Sequence, residues 1–301
     1  MPESKTVVFV VGATAAGKTD LAIELAQNYG TEIISADSRQ VYKEMQIGTA
    51  VPTQAQLNLV PHHFVQSHSI FSPINAGGFE AEAMAKLTDV FTRKNVAIVC
   101  GGSGLYLNAL AFGLDDIGAA PVEIRQEIQA IYAKEGIFAL QKLLQTHDPA
   151  YYQQVDLQNH ARIARALEYC VYYKKPFSAA RTRTKKQRAF AQVWVGAHQP
   201  RPQLYQRINQ RMDEMLAQGL LAEVERLRPH QHLQPLQTVG YTEFFDFLDQ
   251  KTALAQAVEL AKQHTRNFAK RQLTWFGKND EIEWFDPKEI AKILLFIEKK
   301  C

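Results

Sequence analysis

The stretch Gly12-Ala13-Thr14-Ala15-Ala16-Gly17-Lys18-Thr19 fits G-x-x-x-x-G-K-[ST] without a gap, and no other feature constrains the fold of this chain as much. Ahead of it, Thr6-Val7-Val8-Phe9-Val10-Val11 is a short, β-branched apolar run with the composition of a strand buried on both faces. Behind it, Leu21, Ala22, Leu25 and Ala26 recur at helical spacing until Gly30 supplies a stop. Strand, glycine loop and helix in that order make a phosphate-binding loop. The glycines let the backbone turn its N–H groups inward, and the first turn of the helix adds partial positive charge where an anion sits. Lys18 is placed to reach phosphate oxygens, and the Thr19 hydroxyl to hold a magnesium ion. An ordinary glycine-rich turn is the alternative, and motif and context together argue against it. Whether the bound phosphate is cut, transferred or discarded is decided elsewhere in the chain.

Further strands extend the pattern. Glu32-Ile33-Ile34-Ser35-Ala36 delivers Asp37-Ser38-Arg39-Gln40 to a strand's carboxyl end, where ligands bind in open α/β sheets. Asp37 has three open roles there: magnesium ligand, helix N-cap or general base. Val96-Ala97-Ile98-Val99-Cys100 runs into Gly101-Gly102-Ser103-Gly104-Leu105-Tyr106-Leu107, a second glycine-rich turn whose Ser103 hydroxyl can donate into a site. A helix from about Phe79 to Thr92 precedes it, and Gln192-Val193-Trp194-Val195-Gly196 returns to strand character. These elements predict an α/β fold: a P-loop NTPase-like core with a parallel sheet flanked by helices, plus a helical insertion domain. Between Pro121 and Arg188 the spacing predicts helices over 123–134, 139–145 and 159–173 and no buried strand. The expected division gives 1–118 and 192–301 to the core and 119–191 to the insertion.

Charge is informative only locally, since 34 Lys+Arg against 31 Asp+Glu leaves a net +3 over 301 residues. Arg162 and Arg165 share a helix face, and Arg125, Arg181, Arg183, Lys185, Lys186 and Arg188 add positive charge nearby. Contact with a phosphate backbone and a solvated charged face are both open for this cluster. Arg207 and Arg211 lie four apart on a helix over 204–217, where they either clamp a phosphate or pair with Asp213 and Glu214. A last long helix over 253–276 interleaves Arg266, Lys270 and Arg271 with Phe268, Trp275 and Phe276, which suits nucleic acid or core packing. The paired His62-His63 suits a structural or substrate-edge role better than a metal site. Cys100, Cys170 and Cys301 are far apart and suit a reducing, cytoplasmic setting. No apolar run approaches the ~20 residues of a membrane span, and Met1 to Lys5 lack the features of a signal peptide.

The strings GATAAGKT, DSRQVY, IGTA, PHH, GGSGLYL, RIARALE, RINQRMDEML, VGYTEF and AKRQLTWF occur in an order that resembles the tRNA dimethylallyltransferase (tRNA isopentenyltransferase) family, and the resemblance covers nearly the whole chain. It implies transfer of a dimethylallyl group from dimethylallyl diphosphate to N6 of the adenosine immediately 3′ of the anticodon in tRNA. The aspartate matching Asp37 is then the base for the exocyclic amine. The leaving diphosphate is stabilised by residues 12–19, Lys18, magnesium (Mg2+) at Thr19, and the arginines matching Arg207 and Arg211. Ser103, where threonine is usual, keeps the hydroxyl. The family's contacts to the anticodon stem-loop map onto Asp37, Ser38, Arg39, Gln40, Ser103, Arg125, Ala161, Arg162, Ile163, Ala164, Arg165, Gly240 and Tyr241. The target base must leave its stack to react. The resemblance also implies a cytoplasmic monomer without a membrane partner. Against the usual family strings, Ala13 replaces proline and Ala16 serine, while Val51, Gln66, Thr242 and Gly277 each lack a usual charge. Three rivals stand beside this reading: an adenylate (AMP/ATP) isopentenyltransferase, a small-molecule kinase, and a tRNA-binding paralogue without activity.

Overall fold

The apolar run near the N-terminus forms β1 (Thr6–Gly12), buried along its whole length. In this computed structural model, which describes residues 5–182 and 184–300, β1 has a parallel neighbour on each side. Residues 1–4, Arg183 of the basic run, and Cys301 lie outside the described residues. The other strands are β2 (Ile33–Ser35), β3 (His62–His63), β4 (Val96–Gly101), β5 (Ala191–Ala197) and β6 (Ile282–Phe285), in the order β3-β2-β4-β1-β5-β6. Every pairing is parallel, so each connection must cross over a face of the sheet.

Four helices belong to the first half: α1 (Lys18–Asn28), α2 (Gln54–Leu59), α3 (Ala76–Phe91) and α4 (Gly104–Phe112). The alternation of β1 divides its side chains between two layers. Val8 and Val10 pack with Leu21, Leu25 and Ala26 of α1. Phe9 points the other way and stacks on Trp194 of β5 with ring centroids 4.2 Å apart, an arrangement worth about 0.5–1.5 kcal/mol beyond area burial.

Between α4 and β5 come α5 (Val122–Glu135), α6 (Ile137–His147), α7 (Pro149–Tyr152), α8 (His160–Tyr173) and α9 (Phe177–Ala180). They build a separate core from Ile128, Leu140, Leu144, Ile163, Leu167 and Phe177. The short α7 and α9 were not expected from periodicity. Buried Asp148 ties them together by accepting from the N–H of Tyr151 (2.9 Å) and of Ser178 (2.7 Å). After β5 follow α10 (Arg201–Ala217), α11 (Leu220–Leu227), α12 (Thr242–Leu248), α13 (Leu254–Phe276) and, beyond β6, α14 (Ile290–Lys300), whose Ile293 and Ile297 join the layer of α1.

The described residues fall into two compact units, one running to Phe112 and resuming at Gln187, the other Gly113–Lys186. Side-chain hydrogen bonds explain why these limits differ from 119–191. Arg165 Nη2 donates to the carbonyls of Ile117 and Gly118 (both 3.1 Å), and Thr182 Oγ1 donates to Asp115 (2.6 Å), so the entering segment belongs to the helical unit. On the return, Arg188 donates to Glu80 (2.8 Å) and to the Ala109 carbonyl (2.7 Å) within the sheet unit. Its side chain is 9% exposed, which removes Arg188 from the basic surface where the charge pattern had put it.

Candidate active site

The loop after β1 is shaped by two residues in left-handed backbone, Ala15 at φ 63° and Gly17 at φ 91°, the second immediately before α1. No side chain caps α1, so its first-turn N–H groups face the loop. Ala13, Ala15 and Ala16 are buried against Leu204 and Ile208 of α10 and Ala269 of α13. The replacements at 13 and 16 therefore face packing beneath the loop, and the phosphate-facing surface is left to backbone. Lys18 Nζ donates to the Ala13 carbonyl at 2.7 Å. Burial lowers the Lys18 pKa from its ordinary value, while Cys100 and Asp37 oppose that shift.

Asp37 follows β2, and since no helix starts there its carboxylate closes a turn in place of the helix N-cap the sequence offered. Its Oδ1 accepts from the N–H of Arg39 (2.9 Å) and of Gln40 (3.2 Å), closing a turn. Its second oxygen takes no hydrogen bond from the protein among the described residues, and Asp37 lines the same cavity as the phosphate loop. Ser103 is engaged with the neighbouring strand end: its Oγ accepts from Ser38 N–H (2.9 Å) and donates to Ser38 Oγ (3.1 Å). The expected donation into the site is thus made to Ser38, and Ser103 fixes the segment that carries Asp37.

Gln272 of α13, part of AKRQLTWF, is a site residue that the motif reading passed over. Its Oε1 accepts from Thr14 N–H (2.8 Å) and its Nε2 donates to the Gly102 carbonyl (2.9 Å), pinning the phosphate loop to the second glycine turn. Only its place in that string could have signalled it.

These parts surround a cavity of about 450 Å³ within the sheet unit, in the size range of small-molecule sites. Lys18, Thr19, Asp37, Ser103, Arg207 and Arg211 all line it. Arg207 and Arg211 form no ion pair with Asp213 or Glu214 among the described residues; Asp213 holds Lys262 (2.7 Å), and Glu214 accepts from Gln210 (2.8 Å). Burial first and then the neighbouring Arg207 lower the Arg211 pKa from its ordinary value, while Glu214 and Asp20 oppose that shift. Toward the far end of α10, Ile208, Met212 and Met215 give the cavity an apolar wall. Thr19 offers a hydroxyl at the helix start, the kind of single protein oxygen that magnesium uses beside phosphate oxygens.

Several expected contacts lie elsewhere. Tyr241 is fully buried, and its hydroxyl donates to Glu223 (2.7 Å), so its side chain offers nothing to RNA. Ile163 is in the core of the helical unit and is likewise removed from the set of RNA contacts. Ala161 and Arg162 are exposed on α8, and Ala164 is half-buried. Arg165 and Arg125 both approach Glu168, at 3.6 and 3.7 Å. Gly240 lines the cavity, its N–H held by buried Glu243 (2.8 Å). On α13, Phe276 is core, while Phe268 and Trp275 are exposed beside Lys270 and Arg271. His63 bonds Glu32 (2.6 Å), and His62 meets the Val60 carbonyl (2.8 Å) at the cavity's edge.

A parallel sheet with a glycine loop after its central strand, and a cavity lined by that loop, two arginines and a carboxylate, defines a phosphate-loop α/β protein. The IPP transferase family model matches residues 40–279. A tRNA dimethylallyltransferase of Christiangramia forsetii is 45% identical over 298 residues, covering 99% of both chains. One of Flavobacterium johnsoniae is 44% identical over 94% of this chain and 93% of its own. Among solved structures, a tRNA isopentenylpyrophosphate transferase of Bacillus halodurans matches with a TM-score of 0.72 at 34% identity, covering 98% of this chain and 96% of its own. A eukaryotic dimethylallyltransferase acting on tRNA matches with a TM-score of 0.78 at 25% identity, over 98% and 77%. This chain belongs to the IPP transferase family.

Proposed function

We propose that the protein is a tRNA dimethylallyltransferase, moving the dimethylallyl group of dimethylallyl diphosphate to N6 of the adenosine immediately 3′ of the anticodon. The observation that carries this reading is the convergence of the phosphate loop, Arg207, Arg211 and Asp37 on one cavity. The donor's diphosphate sits on the amides of residues 12–19 and against Lys18, Arg207 and Arg211, and its apolar tail faces Ile208, Met212 and Met215. The extruded adenine presents its amine to Asp37. As the N6–carbon bond forms, the carbon–oxygen bond to diphosphate breaks, Asp37 accepts the amine proton, and the cationic loop holds the charge that departs. Magnesium, when bound at Thr19, supplies further neutralisation of that diphosphate. Exposed Arg162 and Arg125 of the helical unit serve the RNA backbone, and the enzyme works as a cytoplasmic monomer.

The experiment is incubation with labelled dimethylallyl diphosphate, magnesium and unmodified tRNA, with AMP and ATP in parallel. Label in tRNA is expected. Label in AMP alone would assign an adenylate isopentenyltransferase, ATP turnover alone a kinase, and tRNA binding without product an inactive paralogue.

A further inference from the structure

Glu223 lies on α11, is 5% exposed, and belongs to none of the strings that carry the family resemblance. Its carboxylate nevertheless gathers four donors. Oε2 accepts from the N–H of Gln46 (3.0 Å) and Ile47 (2.9 Å), and Oε1 accepts from the N–H of Gly48 (2.9 Å) and the Tyr241 hydroxyl (2.7 Å). Three consecutive backbone amides turned onto one side chain fix a loop that has no strand or helix of its own. The Tyr241 ring closes the fit, because a Cβ at Gly48 would lie 2.6 Å from it. Burial, with the Glu223 charge adding to it, pushes the Tyr241 phenol well above its usual range and keeps it a donor.

The loop so held is a wall of the active-site cavity, to which Ile47, Gly48, Thr49, Ala50 and Val51 contribute. Gln40 joins that wall to the proposed base. Its Nε2 donates to the carbonyls of Thr49 (3.1 Å) and Ala50 (2.9 Å), while its backbone N–H donates to Asp37 Oδ1 (3.2 Å). A continuous chain of hydrogen bonds and short backbone steps therefore runs from α11 to the Asp37 carboxylate.

We propose that Glu223 is a positioning residue for prenyl transfer: it anchors the 46–50 wall, and Gln40 passes that restraint to Asp37. The proposal rests on the reading of Asp37 as the base. A glutamate that merely stabilises the fold would act independently of Gln40, and this difference is measurable.

In Glu223→Gln an acceptor oxygen becomes an amide donor facing N–H groups, at unchanged size. Transfer to tRNA is expected to slow about tenfold or more, Gln40→Ala to slow it comparably, and the double variant to be no more than about twofold slower than the worse single, since both cut one chain. Tyr241→Phe, which leaves the three amide bonds in place, is expected to stay within about threefold of wild type. Losses that multiply in the double variant, or a Glu223→Gln enzyme as fast as wild type, would overturn the proposal. Amide hydrogen exchange on the substrate-free full chain decides the anchor separately. Ile47 and Gly48 should exchange about tenfold faster in Glu223→Gln while α1 keeps its protection, and unchanged exchange at those two amides also overturns it. A wild-type protein that transfers nothing refutes the activity proposed above, a result distinct from either of these.

Discussion

In the proposed reaction Asp37 is the base, and its Oδ1 is already engaged in a turn. Because Oδ1 closes the turn through Arg39 and Gln40, removing the whole carboxyl would unmake the turn as well as the base. Asp37→Asn keeps an acceptor for those amides and discards the basicity. It is expected to lower the transfer rate by about 10²–10⁴ while tRNA affinity measured by filter binding stays within about twofold. Near-normal turnover would remove Asp37 as the base. Lys18 supplies a pH dependence with a definite sign. Its folded pKa lies below the ordinary 10.5 because burial disfavours the ammonium. Donor affinity, measured by calorimetry with dimethylallyl diphosphate, should be flat below that lowered value and fall as pH rises through it. A flat titration up to the pKa of free lysine would show that the ammonium is not what grips the donor.

Among elements, α8 separates two arginines that the sequence could only pair. Their i, i+3 spacing placed Arg162 and Arg165 on one face, but Arg165 is tied to two carbonyls and approaches Glu168, whereas Arg162 is exposed. Arg162→Ala should therefore weaken tRNA binding and reduce the slope of log affinity against log salt by about 1, with thermal stability unchanged. Arg165→Ala should lower the melting temperature of the helical unit. Equal effects of the two variants on the salt slope would contradict this division. The main helices and strands were legible because period-3.6 and β-branched patterns are local properties, and α1, α8 and β5 fall close to where they were expected. The short α7 and α9 were not, because four-residue helices carry no period, and what ties these two together is buried Asp148, which caps α7 and accepts from the Ser178 N–H of α9.

At the scale of the whole chain, the sequence revealed which motifs exist and left open how they are joined. Gln272 and Glu223 act through contacts 258 and 175–177 residues away in the chain, to Thr14 and to Gln46–Gly48, and no local pattern encodes such a pairing. The same holds for Arg188, which looked like part of a basic run until Glu80, 108 residues earlier, proved to be its partner. Truncating one member of such a buried pair typically costs about 3–5 kcal/mol, so this charge belongs to the stability of the sheet unit. Tyr241 came into the set of RNA contacts only through the family resemblance, and the tertiary structure buries its side chain with the hydroxyl on Glu223.

The central claim is that a loop made for phosphate oxygens holds the diphosphate that departs from a prenyl donor. A crystal structure of the protein with dimethylallyl thiodiphosphate, a donor analogue that resists cleavage, tests it most directly. Diphosphate oxygens should lie within hydrogen-bond distance of the amides of residues 14–19, of Lys18 Nζ and of Arg211, with the dimethylallyl carbon turned toward Asp37. A diphosphate bound away from that loop, or a prenyl tail directed away from Asp37, would contradict the account.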